Sequence, residues 1–302
     1  MLRRSFLLVA VLWFACLGCL SSRKPATSDP QGADWPYVTG QCPRFLILYL
    51  PYPQNGAPLA LPSPTTPGWT DQRMERDVSR ILGAGLDGIV LGIQPETLAD
   101  TFQTERVVRF AQLVASRAPA GFGVVLMIVP SASSPVSMDA EAIGQWLSTS
   151  GIQNCRALQR QAGRVVVMLS PQVSLSGAPH PAALVVPMGS ASSSWRWQEP
   201  AAVDRFTPTA APDGQLVVYG GWRGPAAPGG NGGSTPWEME RRRGNALQEE
   251  LSRAFAARAL TICISSWNNY VTGDFVEPNT LDGDAVLKRL TAVIREAKDS
   301  CR

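Results

Sequence analysis

Histidine, charge and nucleotide-binding glycine motifs are what this sequence lacks most clearly. Its 302 residues include one histidine, His180. A multi-histidine metal site is therefore excluded, and a Ser-His-Asp or Cys-His mechanism would have to run through that one ring. Charged residues make up 17% of the chain, with 27 Lys and Arg against 24 Asp and Glu. Setting aside Arg3 and Arg4, which lie in the N-terminal segment discussed below, leaves 25 against 24 and a balance near zero. That is no footprint for nucleic acid. No Gly-x-Gly-x-x-Gly follows the first strand-like run, and no Walker sequence occurs, so no nucleotide cofactor is expected. No metal is expected either, since the cysteines match no knuckle spacing. What is present is a 45% hydrophobic composition with 27 Gly and 25 Pro. It is enough for a sizeable core linked by many turns.

The first twenty residues read as a targeting segment. Met1-Leu2-Arg3-Arg4 is a basic start, and Ser5–Leu17 is almost wholly apolar, with the length of a signal h-region. It ends in Cys16-Leu17-Gly18-Cys19. This resembles the bacterial lipobox, with Cys16 where Leu is usual and Leu17 where a small residue is usual. The resemblance implies lipidation at Cys19, a membrane contact through a lipid anchor, and an exported envelope location. Ordinary signal cleavage and a retained anchor are the alternatives. Residues 20–42 are polar and read as a flexible tether. In an oxidising compartment Cys42 and Cys301 could form a disulfide if the fold joins its ends; two unrelated thiols is the other reading. Cys263 lies in an apolar run and reads as a small buried hydrophobe.

Residues 43–302 alternate strand and helix signals. Phe45–Leu50 is a continuous apolar run, as in a strand buried on both faces. Thr70 can cap a helix carrying Met74, Val78, Ile81 and Leu82. Strands are expected at 89–93, 123–129, 165–169, 184–186, 216–219 and 260–265. Helices are expected around Val107–Val114, after a Ser137 cap, from Trp237 to Ala257, and around Val286–Ala297. About seven strands separated by helices imply an α/β fold with a parallel sheet, and the size fits a (β/α)8 TIM-type barrel. Residues 170–184 lack a helix signal, so irregularity is expected there.

In such a barrel the site lies where strands run into the following loops. Those ends carry Tyr49 and Tyr52, Gln94 and Glu96, Ser131, Ser170 and Gln172, Tyr219, Trp222 and Arg223, then Trp267, Asn268 and Asn269. Trp195, Trp197 and Trp237 add aromatics in the intervening loops. Rings beside amides and hydroxyls suit a neutral polyhydroxylated ligand. Some of the tryptophans could equally just cover the rim.

The run Ile262–Pro278, ICISSWNNYVTGDFVEP, resembles the signature of the glycoside hydrolase family 99-like barrels. These include endo-α-mannosidases and related domains of polysaccharide biosynthesis proteins. Ser266, Trp267, Asn268, Gly273, Glu277 and Pro278 match it. Tyr49-Leu50-Pro51-Tyr52, Asp77–Ile93 and Arg243-Gly244 resemble further parts of the family, so the likeness spans about residues 44–295. It implies a glycoside hydrolase-like barrel whose two catalytic glutamates are replaced here by Asn269 and Thr272. An amide and a threonine hydroxyl cannot perform general acid–base work near neutral pH. Asp274, Glu277 and Glu96 are the candidate substitute acids, against plainer roles in loop solvation, structural hydrogen bonding and helix-start charge. His180, flanked by prolines, reads as an ordinary loop residue, and Asn268 as a ligand contact or a structural amide. The expectation is an exported glycan-binding barrel. An active α-mannoside-type hydrolase with relocated carboxylates and an envelope scaffold are the alternatives.

Overall fold

The computed structural model describes residues 42–51, 58, 60–64, 69–130, 135–170, 172–187, 215–219, 222–224, 237–239, 241–256, 259, 261–271 and 273–301. The segment read as a targeting signal, with Cys19, most of the segment read as a tether, and Tyr52, Ser131, Trp195, Trp197 and Thr272 lie outside these residues, as do the side chains of Tyr219, Trp222, Arg223 and Trp237.

Twelve strands are described: β1 (Arg44–Tyr49), β2 (Gly88–Ile93), β3 (Gly123–Ile128), β4 (Val136–Asp139), β5 (Arg160–Gln161), β6 (Arg164–Leu169), β7 (Val173–Ser176), β8 (Ala183–Pro187), β9 (Gln215–Tyr219), β10 (Trp222–Gly224), β11 (Trp237–Met239) and β12 (Thr261–Ser265). Seven of them pair in parallel in the order β8-β6-β3-β2-β1-β12-β9. The chain thus begins in the middle of its sheet, and its last strand lies beside its first. Five α-helices are described: α1 (Asp71–Gly83), α2 (Thr101–Arg117), α3 (Ala140–Thr149), α4 (Asn245–Ala256) and α5 (Ala285–Ser300).

Alternation along the strands separates two cores. Phe45, Ile47 and Tyr49 of β1 pack in one cluster with Val78 and Ile81 of α1, Phe110 of α2 and Leu290 of α5. The residues between them, Leu46 and Leu48, continue through Leu50 into a second cluster with Val90, Val125, Met127, Val166, Met168 and Cys263. No helical residue joins that second cluster among the described residues. The helices thus cover one face, and the other face fills itself with aliphatic side chains, as the inside of a small barrel does. Gly92 sits in this inner layer because a Cβ there would lie 2.7 Å from a Leu50 methyl. Fully burying each such Leu, Ile or Val stabilises by roughly 1.5–3 kcal/mol.

Thr70 caps α1 as its type suggests, accepting from the Arg73 amide at 3.3 Å. Two expectations are corrected. The helix before β12 does not start at Trp237: Trp237–Met239 pairs antiparallel with Trp222–Gly224, and α4 begins at Asn245. Arg242 and Arg243 have φ of 46° and 53°, in the left-handed region, where a helix cannot continue. Ser137 is not a cap but lies in β4, which pairs in parallel with β7 across the stretch that lacked a helix signal; Asp139 caps α3 instead.

Cys42 and Cys301 are bridged, with Cα atoms 5.5 Å apart. Nearby, Lys298 of α5 donates to the Gly85 carbonyl at 2.7 Å and pairs with Asp87. The last helix is thereby fastened to the start of the sheet, at the end opposite the loops that carry the site.

Candidate functional site

The site is built on the chain that leaves β12. The Ser265–Ser266 peptide is cis. Trp267 then runs beside the end of β1, its amide donating to the Leu48 carbonyl at 2.7 Å. The next side chain fixes that docking. Asn268 accepts from the Leu50 amide at 2.9 Å and donates to the Leu50 carbonyl at 2.8 Å, imitating one more rung of sheet pairing. The loop folds back on itself where the Val276 and Glu277 amides donate to the Trp267 carbonyl. The Asn269 amide donates to Ser266 Oγ at 2.9 Å, and Ser265 Oγ donates to Asp274 Oδ2 at 2.8 Å.

Two sets of charges hold the loop from outside. Glu277 is fully buried; it accepts from Arg73 at 2.8 Å, Arg76 at 3.4 Å and the Tyr270 hydroxyl at 2.8 Å. The same arginines flank Asp77, also fully buried, at 3.5 and 3.7 Å, and Tyr49 donates its hydroxyl to Asp77 at 2.9 Å while accepting from the Trp69 indole at 2.8 Å. Two guanidiniums thus face two carboxyl groups, and the charges balance when Asp77 is ionised. Burial, then the charge of Glu277, push the Asp77 carboxyl up to about 7, outweighing both arginines. Burial, followed by Asp77 for Tyr49 and by Glu277 for Tyr270, raises both phenols, so each remains a proton donor at neutral pH. On the other side Arg241, 8% exposed, donates to Asp282 at 2.7 Å, to the Phe275 carbonyl at 2.7 Å and to the Gly273 carbonyl, while its guanidinium lies 3.8 Å over the Phe275 ring.

The sequence candidates fall into three groups. Tyr49 does not face a ligand: it points to the helix side of the sheet, stacked on Phe110 with ring centroids 4.5 Å apart. Trp267 is fully buried and offers no open stacking face, although its indole N–H has no hydrogen-bond partner among the described residues. Asn268 is spent on Leu50, so its structural reading prevails over ligand contact. Asp274 and Glu277, at 1% and 0% exposure, are bonded within the loop and to α1. Glu96 is exposed, on the short turn Pro95–Leu98 after β2, and Asn269 is half-buried with no side-chain hydrogen bond among the described residues. His180 packs over Gly144 and accepts from the Ala182 amide at 3.1 Å, a loop role. Tyr52 and Thr272 lie outside the described residues, as does the Trp222 side chain.

Sequence reasoning missed the charged cluster and the Arg241 clamp. Asp77 carried a signal, since it falls on the stripe of Met74, Val78 and Ile81 and so had to be buried. Arg241 carried none, because its partners are carbonyls and a carboxylate more than thirty residues away.

No protein-family model and no curated protein matches the chain. Solved structures do. An endo-α-mannosidase of glycoside hydrolase family GH99 from Bacteroides thetaiotaomicron, in complex with bis-tris-propane, superposes with a TM-score of 0.59 at 14% identity, over 85% of this chain and 98% of that one. A second structure described as the GH99 endo-α-mannosidase from Bacteroides thetaiotaomicron gives 0.58 at 13% identity, over 85% and 98%. A glycoside hydrolase-like protein gives 0.52 at 11% identity, over 85% and 95%. The chain has the fold of the GH99 endo-α-mannosidases. That fold is a (β/α)8 barrel, which accounts for a sheet with helices on one face only. Among the described residues no pairing joins β8 to β9, the two outer members of the strand order.

Proposed function

We propose that this GH99-like barrel is an exported, lipid-anchored protein that binds a neutral oligosaccharide or polysaccharide and does not cleave it by acid–base chemistry. The observation that carries the reading is how the β12 loop uses its acids. Glu277 is consumed by Arg73, Arg76 and Tyr270, and Asp274 accepts from Ser265; both are buried. The position where the resembling family carries a catalytic glutamate holds Asn269, which is half-buried, its side chain without a hydrogen bond among the described residues. An amide can pair with sugar hydroxyls in both directions but cannot shuttle a proton. The anchored neighbours Asn268 and Tyr270 hold Asn269 in place from either side, so a binding role needs little ordering of the loop. The Cys42–Cys301 bridge fits an oxidising compartment, in keeping with export.

The test compares the wild type with Asn269→Ala on an array of neutral α-mannans and α-glucans. The reading expects binding by the wild type, weakened about 3- to 10-fold by loss of the amide contacts, with no released sugar in either case. Binding by no array member would remove the glycan reading and leave the scaffold alternative.

A further inference from the structure

The ligand end of the barrel also carries polar groups that the β12 loop does not use. Along β6, Val167 and Leu169 face the helices, and Val166 and Met168 face the inner core. The next residue, Ser170, continues the inner face. Its backbone is still within the sheet, since its amide donates to the Ile128 carbonyl at 3.0 Å. One strand over, the Val129 amide donates to the Ile93 carbonyl at 2.8 Å. This register sets Gln94, Val129 and Ser170 side by side, one step beyond the row of Gly92, Met127 and Met168. Gln94 and Ser170 are two strands apart, roughly 10 Å along the sheet.

Ser170 is 7% exposed, and its hydroxyl has no hydrogen-bond partner among the described residues. Its carbonyl accepts from the Val173 amide at 2.9 Å, so the local turn is satisfied without it. A buried hydroxyl left unpaired opposes folding, and nothing in the fold requires it: an alanine would fill the same place. Gln94 is half-buried and its side chain has no hydrogen bond among the described residues.

We propose that Gln94 and Ser170 form a second hydroxyl-binding subsite of the barrel mouth, apart from the β12 loop, that takes a neutral sugar. This rests on the glycan-binding reading. A serine hydroxyl and a carboxamide each donate and accept, and neither is charged. That combination matches the hydroxyls of a polyol and supplies no cation for an anionic ligand.

The experiment uses the full chain, with Ser170→Ala, Gln94→Ala and Asn269→Ala, and an α-mannan oligosaccharide series and an α-glucan series as probes. Thermal melting without sugar is read first. Ser170→Ala is expected to melt at the wild-type temperature or up to about 4 °C above it. A lower melting temperature overturns the proposal, because the hydroxyl would then be serving the fold. Calorimetric titration is read second. Ser170→Ala and Gln94→Ala are each expected to weaken the wild-type affinity about 3- to 10-fold. If the wild type binds and Asn269→Ala weakens it while Ser170→Ala does not, the subsite fails and the glycan reading stands. If the wild type binds neither series, the glycan reading fails and the subsite with it.

Discussion

Asp77 sits in an environment far from that of an ordinary carboxylate. Its folded-state carboxyl titrates at about 7, against about 4 in an unfolded chain. Below pH 4 both states bind the proton. Between pH 4 and 7 the folded state keeps a proton the unfolded state has lost, so this group's contribution to stability falls as pH rises through that window and is gone above it. Denaturant unfolding across pH 4–8 is therefore expected to show a decline that Asp77→Asn flattens, since the amide keeps a carbonyl for Tyr49. A wild type and variant with parallel pH profiles would contradict this. Glu277 is the carboxylate that both Arg73 and Arg76 reach, and Glu277→Gln leaves two largely buried guanidiniums beside Asp77 alone. The expected loss is about 3–5 kcal/mol, the scale for breaking a buried pair, measured by chemical denaturation. A loss below about 1 kcal/mol would mean that the cluster is more solvated than its burial indicates.

Among the elements, the loop from Ser266 to Asp282 folds on local bonds and is held to the rest of the fold by long-range ones. Asn268 ties it to Leu50 just past β1, Glu277 to Arg73 and Arg76 of α1, and Arg241 to the chain before α4, while the Tyr270 hydroxyl braces Glu277 from within the loop. Arg241→Ala is expected to raise amide hydrogen exchange across residues 273–282 by at least tenfold, with strands β1–β3 unchanged; Arg241→Lys should recover only part, as an ammonium lacks the planar fork. Equal exchange in wild type and variant would remove the clamp. This loop also marks the limit of sequence reading. Strands such as Phe45–Leu50 and the stripe on α1 announced themselves through period and apolarity, because each is set by its own residues. The family likeness of Ser266–Pro278 located the loop. It did not reveal that Tyr49 points outward or that Trp267 is sealed, since one residue of register decides which face a strand end presents. The left-handed Arg242 and Arg243 broke an expected helix without any Gly or Pro at those two positions to signal it.

At the scale of the whole molecule, the Cys42–Cys301 bridge closes a loop of 259 residues between the start of β1 and the end of the last helix. Cys42→Ser is expected to cost about 2–5 kcal/mol of stability, read by denaturation under oxidising conditions; an unchanged midpoint would show that the bridge does not form in solution. Proposed lipidation predicts that the full chain expressed in bacteria partitions with membranes and that Cys19→Ser releases it; membrane retention by the variant would point to an uncleaved anchor. The central claim is that a barrel with a hydrolase fold binds a glycan without cutting it. Proton NMR of an α-mannan oligosaccharide series mixed with the purified protein tests it most directly. The account predicts saturation transfer to sugar protons, with no new reducing-end anomeric signals over days. New anomeric signals that persist in the wild type and vanish in Glu96→Gln or Asp274→Asn would contradict it.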